Sequence, residues 1–424
     1  GYTVTIPERG HLLHFPSAGA AEQAVLPLSG ISDRHGHRID LDYDAGGILT
    51  QVRHSGGYRI GVETTDGLIT ALRLLGGDGH ADEAIVRYSY DKARRLTEVV
   101  NSSGRPLRFD YDDVGRIARW QDRNGERFGY TYDEYGRCVR TSGAEGFMNG
   151  SFAYDRDRLV TVYTNSLGHA TTFHLNEAGQ VIREVDPLGR TTVSEWDRHD
   201  RLLGRIDPLG RITRYGYDEA GNLIAVMRPD GTQTTAEYNK LRLPVTVTDP
   251  DGAVWRREYD ERGNLTAVTD PLGATTRYTY DQHGHLVTVT DALGQVRRVE
   301  TNAAGLPTAV TNPLGATNYY ARDGFGRVSA VIDPVDGVTR LGWTVEGKPA
   351  WRTLPDGATE RWSYDGEGNL VEHVDALGQA TRTEITHFDL PAAKIGPDGA
   401  RLEFRYDTEL RLVAVTNPQG LVWR

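Results

Sequence analysis

Hydrophobic and polar residues alternate in short runs along most of this chain, and the runs come in pairs. In Thr275-Thr276-Arg277-Tyr278-Thr279-Tyr280 the rings share one parity, and Thr275, Arg277 and Thr279 fill the other. Tyr215 with Tyr217, Trp362 with Tyr364 and Phe404 with Tyr406 repeat the arrangement. Period two with aromatic and β-branched residues predicts a half-buried strand. Between such runs lie segments like Leu286-Val287-Thr288-Val289-Thr290, apolar on both parities, which predict a strand covered on both faces. No stretch holds an apolar period of 3.6 over ten residues, so helices are not expected.

Two turn signatures separate the runs. Asp260-Glu261-Arg262-Gly263 has Asp first and Gly fourth, and Asp270-Pro271-Leu272-Gly273 adds a Pro that pre-sets the second dihedral. The glycines at 263, 273 and 284 are 10 and 11 residues apart, which gives two nearly equal legs per unit. The Tyr-Asp position that opens each unit recurs from Tyr90 to Tyr406, a span of 316 residues, or fifteen steps of 21 plus one. The extra residue falls between Tyr132 and Tyr154, near Met148-Asn149-Gly150. A fixed period of this kind is the signature of a repeat array.

The predicted fold is therefore all-β: 21-residue units forming a long antiparallel β-ribbon. About 32 strands at roughly 4.8 Å each would extend on the order of 150 Å, too long for a twisted sheet to stay open without coiling. A propeller would make alternate units differ, and they do not. Two tight-turn signatures half a period apart favour antiparallel legs over a parallel β-helix. The positions expected to hold the repeat are Tyr217, Asp218 and Gly221; Tyr259, Asp260 and Gly263; Asp270, Pro271 and Gly273; Tyr280, Asp281 and Gly284; and Tyr364, Asp365 and Gly368. The aspartates are expected to accept hydrogen bonds from turn amides. The rings are expected to align between units into a cross-strand ladder.

Residues 1–32 do not follow the period and contain an Ala-rich stretch at Ala18–Ala24; they read as strands near Tyr2–Ile6 with a loop or plug after them. Residues 33–89 hold degenerate units, with an insertion at Gly76-Gly77-Asp78-Gly79, and 90–424 hold the regular array. The next Tyr-Asp pair would fall near residue 427, so the chain is expected to be one piece of a longer array.

The 49 glycines and 18 prolines suit two turns per unit. A net charge of −11, with basic residues scattered one or two per strand, argues against a nucleic-acid partner. The lone Cys138 excludes an internal disulfide and is expected to be a small core filler. No segment has the length of a membrane-spanning helix, and Gly1-Tyr2-Thr3-Val4-Thr5-Ile6 reads as a strand instead of a signal peptide.

Candidate chemistry is thin. No P-loop, G-x-S-x-G or H-E-x-x-H occurs. Asp40-Leu41-Asp42-Tyr43-Asp44 opens like a calcium loop but has Ala45 and Gln51 where Gly and Glu are needed. His35-Gly36-His37 and His283-Gly284-His285 sit in turn slots without a third ligand nearby in sequence, and read as solvated turn histidines. Asp112-Asp113 reads as turn residues. Asn101, Asn149 and Asn264 head formal glycosylation sequons. No catalytic, cofactor-binding or metal-ligating residue is assigned, and no cofactor is expected.

The Tyr217-Asp218-Glu219-Ala220-Gly221-Asn222-Leu223 opening and the Asp207-Pro208-Leu209-Gly210 turn resemble the YD-repeat, or Rhs, family, over about residues 33–424. The resemblance implies a hollow β-shell in which the ribbon spirals around a lumen. In bacterial members the shell encloses a C-terminal toxin domain, often delivered by type VI secretion; related shells occur in insecticidal toxin complexes and in teneurins. It implies a structural, non-enzymatic segment made in the cytoplasm and delivered by a secretion system. Its implied partners are the rest of the shell, the toxin cargo, and a secretion-apparatus tip or chaperone, with no membrane insertion by this segment. Family members cut themselves near a D-P-x-G-L motif; Gly420-Leu421 echoes it with Asn417 in place of Asp, and no protease residue is carried over. The alternative is a surface adhesion or carbohydrate-binding scaffold in which exposed rings stack on sugars.

Overall fold

A computed structural model describes residues 1–6, 10–16, 25–76 and 82–424. Over these residues the chain forms forty strands and two single turns of 3-10 helix, with no α-helix. Where a loop or plug was expected after Ile6, the strands His11–Phe15 and Gly30–Ser32 join the sheet, because their backbone pairs with neighbours on both sides; Ala18–Ala24, and most of the insertion after Gly76, lie outside the described residues. Two compact units share the chain: one takes Gly1–Arg105, Trp255–Trp362 and Val374–Gly378, the other Pro106–Val254, Ser363–His373 and Gln379–Arg424.

Within each unit the ladder is antiparallel between sequence neighbours. In the first, Leu265–Thr269 pairs with Thr275–Tyr280, which pairs with Leu286–Thr290. In the second, Thr191–Trp196, Leu202–Ile206 and Ile212–Tyr217 pair in the same succession. Pairing already begins with Tyr2–Ile6 against His11–Phe15, and runs through Gly30–Ser32 to Arg38–Tyr43. The slipped residue before Tyr154 is accommodated where a single 3-10 turn, Ala144–Gly146, follows the strand Cys138–Gly143.

The two hairpins of a unit differ in one respect that explains the odd period. Across the Asp270 turn the register is clean, with Thr269 opposite Thr275 and Ala267 opposite Arg277. Across the Asp281 turn, Tyr280 faces Leu286 but Thr279 faces Thr288, so Val287 is a bulge residue. The same shift recurs at Glu195/Trp196, Gly216/Tyr217 and Glu258/Tyr259. Each bulge reverses the parity of the leg it enters. An odd repeat then returns every side chain to the same face, which an even repeat with this bulge would not.

The bulge also corrects the expectation that the first leg is covered on both faces. Leu286 and Val289 both fall on the face of Tyr278 and Tyr280, because the parity flips at Val287 between them. Val287 itself is exposed. The opposite face carries Arg277, Thr279 and Thr288. On that face an alanine lies under long side chains: Ala393, fully buried, sits opposite Glu384 and Glu403. Arg401 bridges both of these acids, at 2.6 and 2.9 Å. Only a small side chain leaves room for the charged stems that cover it.

The ring ladder expected between units is replaced by a different link. Equivalent tyrosines occur on every second strand, about 9.6 Å apart at the usual strand spacing, beyond the 4.5–7 Å of ring contacts. Tyr280 instead donates its hydroxyl to the Leu265 carbonyl at 2.9 Å, fifteen residues back. Tyr217 reaches Leu202 and Tyr406 reaches Pro391 in the same way. Trp196 and Trp343 make the same bond from their indole nitrogens, and Arg322 from its guanidinium. A donor at this position is long enough to reach the preceding repeat, which accounts for Tyr, Trp and Arg there, while Leu175, Thr301 and Ile385 fill it without such a bond.

Candidate functional site

Each turn is built around its first residue. Asp260 accepts the amides of Arg262 and Asn264 on Oδ1, at 2.9 and 2.8 Å, and the Asn264 side chain on Oδ2 at 2.8 Å. Gly263 donates to the Asp260 carbonyl at 3.0 Å, with φ at 86°, a left-handed geometry that favours glycine. Asp218, Asp281 and Asp365 hold their turns through the amide four residues on, and Gly221, Gly284 and Gly368 take the same left-handed conformation. Asp270 accepts from Leu272 and Ala274, with Gly273 closing the turn behind Pro271.

In some Tyr-Asp-type turns an Arg at the fifth position links one repeat to the next. Arg201 donates to Asp197 Oδ2 at 2.7 Å while its guanidinium lies 4.9 Å from the centre of the Tyr217 ring. Arg116 over Tyr132 and Arg137 over Tyr154 repeat this. Asp197 is held at about 2: a burial penalty is outweighed by the amides of Arg201 and His199 and by the Arg201 guanidinium. The hydroxyls of Tyr259, Tyr280 and Tyr364 are pushed up by burial. The repeat positions are spread along the ribbon, and Asp365 also lines the cavity described below.

What converges is the ribbon's edges. In the first unit Ser102 donates its amide and hydroxyl to Glu346, at 3.0 and 2.9 Å, across 244 residues. In the second, Arg123 donates its amide to Glu367 at 2.6 Å, also across 244 residues, and its guanidinium pairs with the same carboxylate at 3.1 Å. Ser166 donates its amide to Glu409 at 2.8 Å, across 243 residues. Each contact joins the second residue of an Asp-Pro-Leu-Gly-type turn to the third residue of a Tyr-Asp turn. Tight packing accompanies them: a Cβ on Gly56 would fall 2.5 Å from that of Ala304. Phe388 meets Trp120 and Phe128 edge-on, at 6.5 and 6.0 Å.

These docking residues were missed in the sequence, although a signal existed. Ser102, Arg123 and Ser166 stand where Pro271 stands in the regular unit, and Glu346, Glu367 and Glu409 where Arg262 stands. Turns that keep Pro-Leu leave the leucine in solvent, 94 % exposed at Leu272 and 93 % at Leu314.

Beside one docking contact, in the second unit, a cavity of about 530 Å³ is lined by Asp122, Glu126, Asp365, Asp389 and His387 among others. Burial, partly offset by the Glu126 amide, raises the Asp122 carboxyl, and the nearby Glu367 charge adds to the rise. His387 Nδ1 pairs with Glu126 at 2.8 Å.

Other sequence candidates resolve individually. Asp40 pairs with Arg38 and Asp42 with Arg53, each at 2.5 Å, and Asp44 holds a turn, so the acids resembling a calcium loop do not converge. Asp112 holds its turn through Arg116. Asn264 and Asn149 use their side chains within their own turns. Cys138 is half-buried instead of a core filler, with its sulfur 3.4 Å from the Arg140 carbonyl. The histidine motifs are the clearest correction: His37 and His285 meet, with their Nε2 atoms 3.0 Å apart, and His285 is buried. With 248 residues between them, neither motif carries a local sign of the other.

Comparison with known proteins agrees with this geometry. Residues 217–254, 259–296 and 350–380 match the family described as RHS Repeat, and residues 67–217 match the Teneurin YD-shell. The chain is 32 % identical over 190 residues to the probable deoxyribonuclease RhsB of Dickeya dadantii (strain 3937), covering 45 % of this chain and 13 % of that protein. It is 32 % identical over 165 residues to the probable deoxyribonuclease RhsA of the same strain, covering 39 % of this chain and 11 % of that one. It thus spans a small part of these relatives' length. The crystal structure of TcdB2-TccC3-TEV is similar over 92 % of this chain and 30 % of the solved one, at TM-score 0.69 and 14 % identity, a likeness of fold. With their Tyr-Asp turns and 21-residue bulged hairpins, the matched segments are similar to the YD-repeat, or Rhs, family.

Proposed function

We propose that this chain is a wall segment of an Rhs-type toxin shell, whose work is to sequester a C-terminal toxin domain until delivery to a target cell. The observation that carries this reading is the recurrent edge-to-edge docking, at 244, 244 and 243 residues of separation. Docking at a constant offset within each unit suits a wall, and a wall would act by exclusion instead of by turnover. Its partners are then the other parts of the same protein: further ribbon and the cargo. Delivery would use a secretion system; no helix among the described residues is long and apolar enough to cross a membrane.

The test is mass spectrometry and limited proteolysis of the longer natural protein, purified natively. A C-terminal fragment that co-purifies with the shell and resists protease until the shell is denatured is the expected result. A C-terminal domain digested at the same rate with or without the shell would overturn the reading, and binding to a glycan array would favour the adhesion alternative.

A further inference from the structure

We propose that the acidic cavity beside the Arg123–Glu367 contact is a binding site for an alkylguanidinium cation, with Asp122 and Glu126 as its acceptors. Five carboxylates line the cavity, on Asp122, Glu126, Asp365, Glu384 and Asp389, and no lysine or arginine is among the lining residues. Arg401 neutralises Glu384, at 2.6 Å. Asp365 and Asp389 accept from uncharged amides instead, those of Asn124 and Asn369. Asp122 accepts the backbone amides of Asn124 and Glu126. His387 lies 2.8 Å from Glu126 and 3.4 Å from Glu145, so one imidazole is shared between two acids. Carboxylates gathered on a half-buried wall repel one another and favour any cation that enters. The rise of the Asp122 carboxyl, from burial and the nearby Glu367 charge, fits that surplus.

Glu126 shows that the wall lacks a donor. Its side chain is only 10 % exposed, and while Oε2 meets His387, Oε1 has no hydrogen-bond partner. A buried carboxylate oxygen left without a donor bears its full desolvation penalty. Glu126 lines the cavity, so a small turn of its carboxylate offers that oxygen to an N–H placed there. The spread of the acids selects the kind of cation. Among the described residues, only Asp33, His35 and His37 offer three ligand atoms within 4.8 Å of one another, so the acids of this cavity do not converge on a metal ion. A guanidinium carries five N–H donors on a planar fork and reaches acceptors set apart around it. Val371 and Ile385 add apolar wall for an aliphatic stem, and a volume of about 530 Å³ has room for both. A free alkylguanidinium and an arginine side chain on a polypeptide present the same group.

The test is calorimetric titration of the whole chain with butylguanidinium at low ionic strength, with neutral butylurea as the matched probe. About one butylguanidinium per chain is expected to bind, more weakly as salt is added, and butylurea is expected not to bind. Asp122→Asn and Glu126→Gln should each weaken binding about tenfold, since each removes a charged acceptor. Asp122→Asn should leave the fold intact, because Asn165 holds an equivalent turn through the amides of Leu167 and His169. Asp291→Asn makes the same change in an equivalent turn of the other unit and should bind as the unaltered chain does. Nα-acetylarginine amide separates the sources: binding as tight as butylguanidinium assigns the cavity to an arginine side chain, and its exclusion assigns it to a free cation. No binding of butylguanidinium by the unaltered chain, equal binding of butylurea, or unchanged affinity in Asp122→Asn and Glu126→Gln would overturn the site.

Discussion

At the scale of the residue, one side-chain oxygen does most of the work of a turn. Asp260 Oδ1 serves two amides that an alanine would leave without an acceptor. Asp260→Ala should therefore cost about 1–2 kcal/mol, read as a lower denaturation midpoint, while Asp260→Asn should cost much less, since asparagine fills this slot at Asn176, Asn239 and Asn302. The same aspartates set the response to acid. Asp197 stands at about 2 in the folded chain against 3.8 for the free group, and Asp112, Asp133, Asp186 and Asp207 are lowered in the same direction. A depressed carboxyl stabilises the fold above its unfolded value, and that stability goes as pH falls through the folded value. The β-sheet signal in circular dichroism should hold at pH 5 and fall between about pH 4 and pH 2; a transition centred near neutrality would mean that other groups govern it.

At the scale of the element, the bulge decides whether a unit can be repeated. Deleting Val287 removes the parity switch and would turn every side chain of the following strands toward the wrong face. The deletion should yield insoluble or protease-sensitive protein, whereas Val287→Thr, at an exposed bulge position, should shift stability by no more than about 0.5 kcal/mol. Most of the element scale was legible beforehand. Strand runs, turns and period follow from local alternation and from Asp, Pro and Gly at fixed offsets, and the hairpins form there. The bulge was not legible, because Leu286 and Val289 look like opposite parities until the register is seen. The ring ladder does not form for a related reason: similarity every 21 residues is not contact, since an intervening strand separates the rings, and Tyr280 reaches a backbone carbonyl instead.

At the scale of the molecule, what matters is how stretches of ribbon hold each other within each unit. Arg123 and Glu367 are 13 % and 18 % exposed, so Glu367→Ala strands a largely buried guanidinium and should cost about 3 kcal/mol. Glu367→Gln, which keeps an acceptor for the Arg123 amide, should cost less. Faster hydrogen exchange confined to residues around 123 and 367 would identify the loss as undocking; uniform exchange across the chain would contradict it. By itself the sequence determined the strands, the turns and the 21-residue unit, because each depends on residues close together in the chain. Only the tertiary structure decided which tips dock and that two distant His-Gly-His motifs meet. Those pairings depend on where the ribbon passes itself some 244 residues later, a quantity accumulated from the twist and bulge of every intervening hairpin and written in no single one of them.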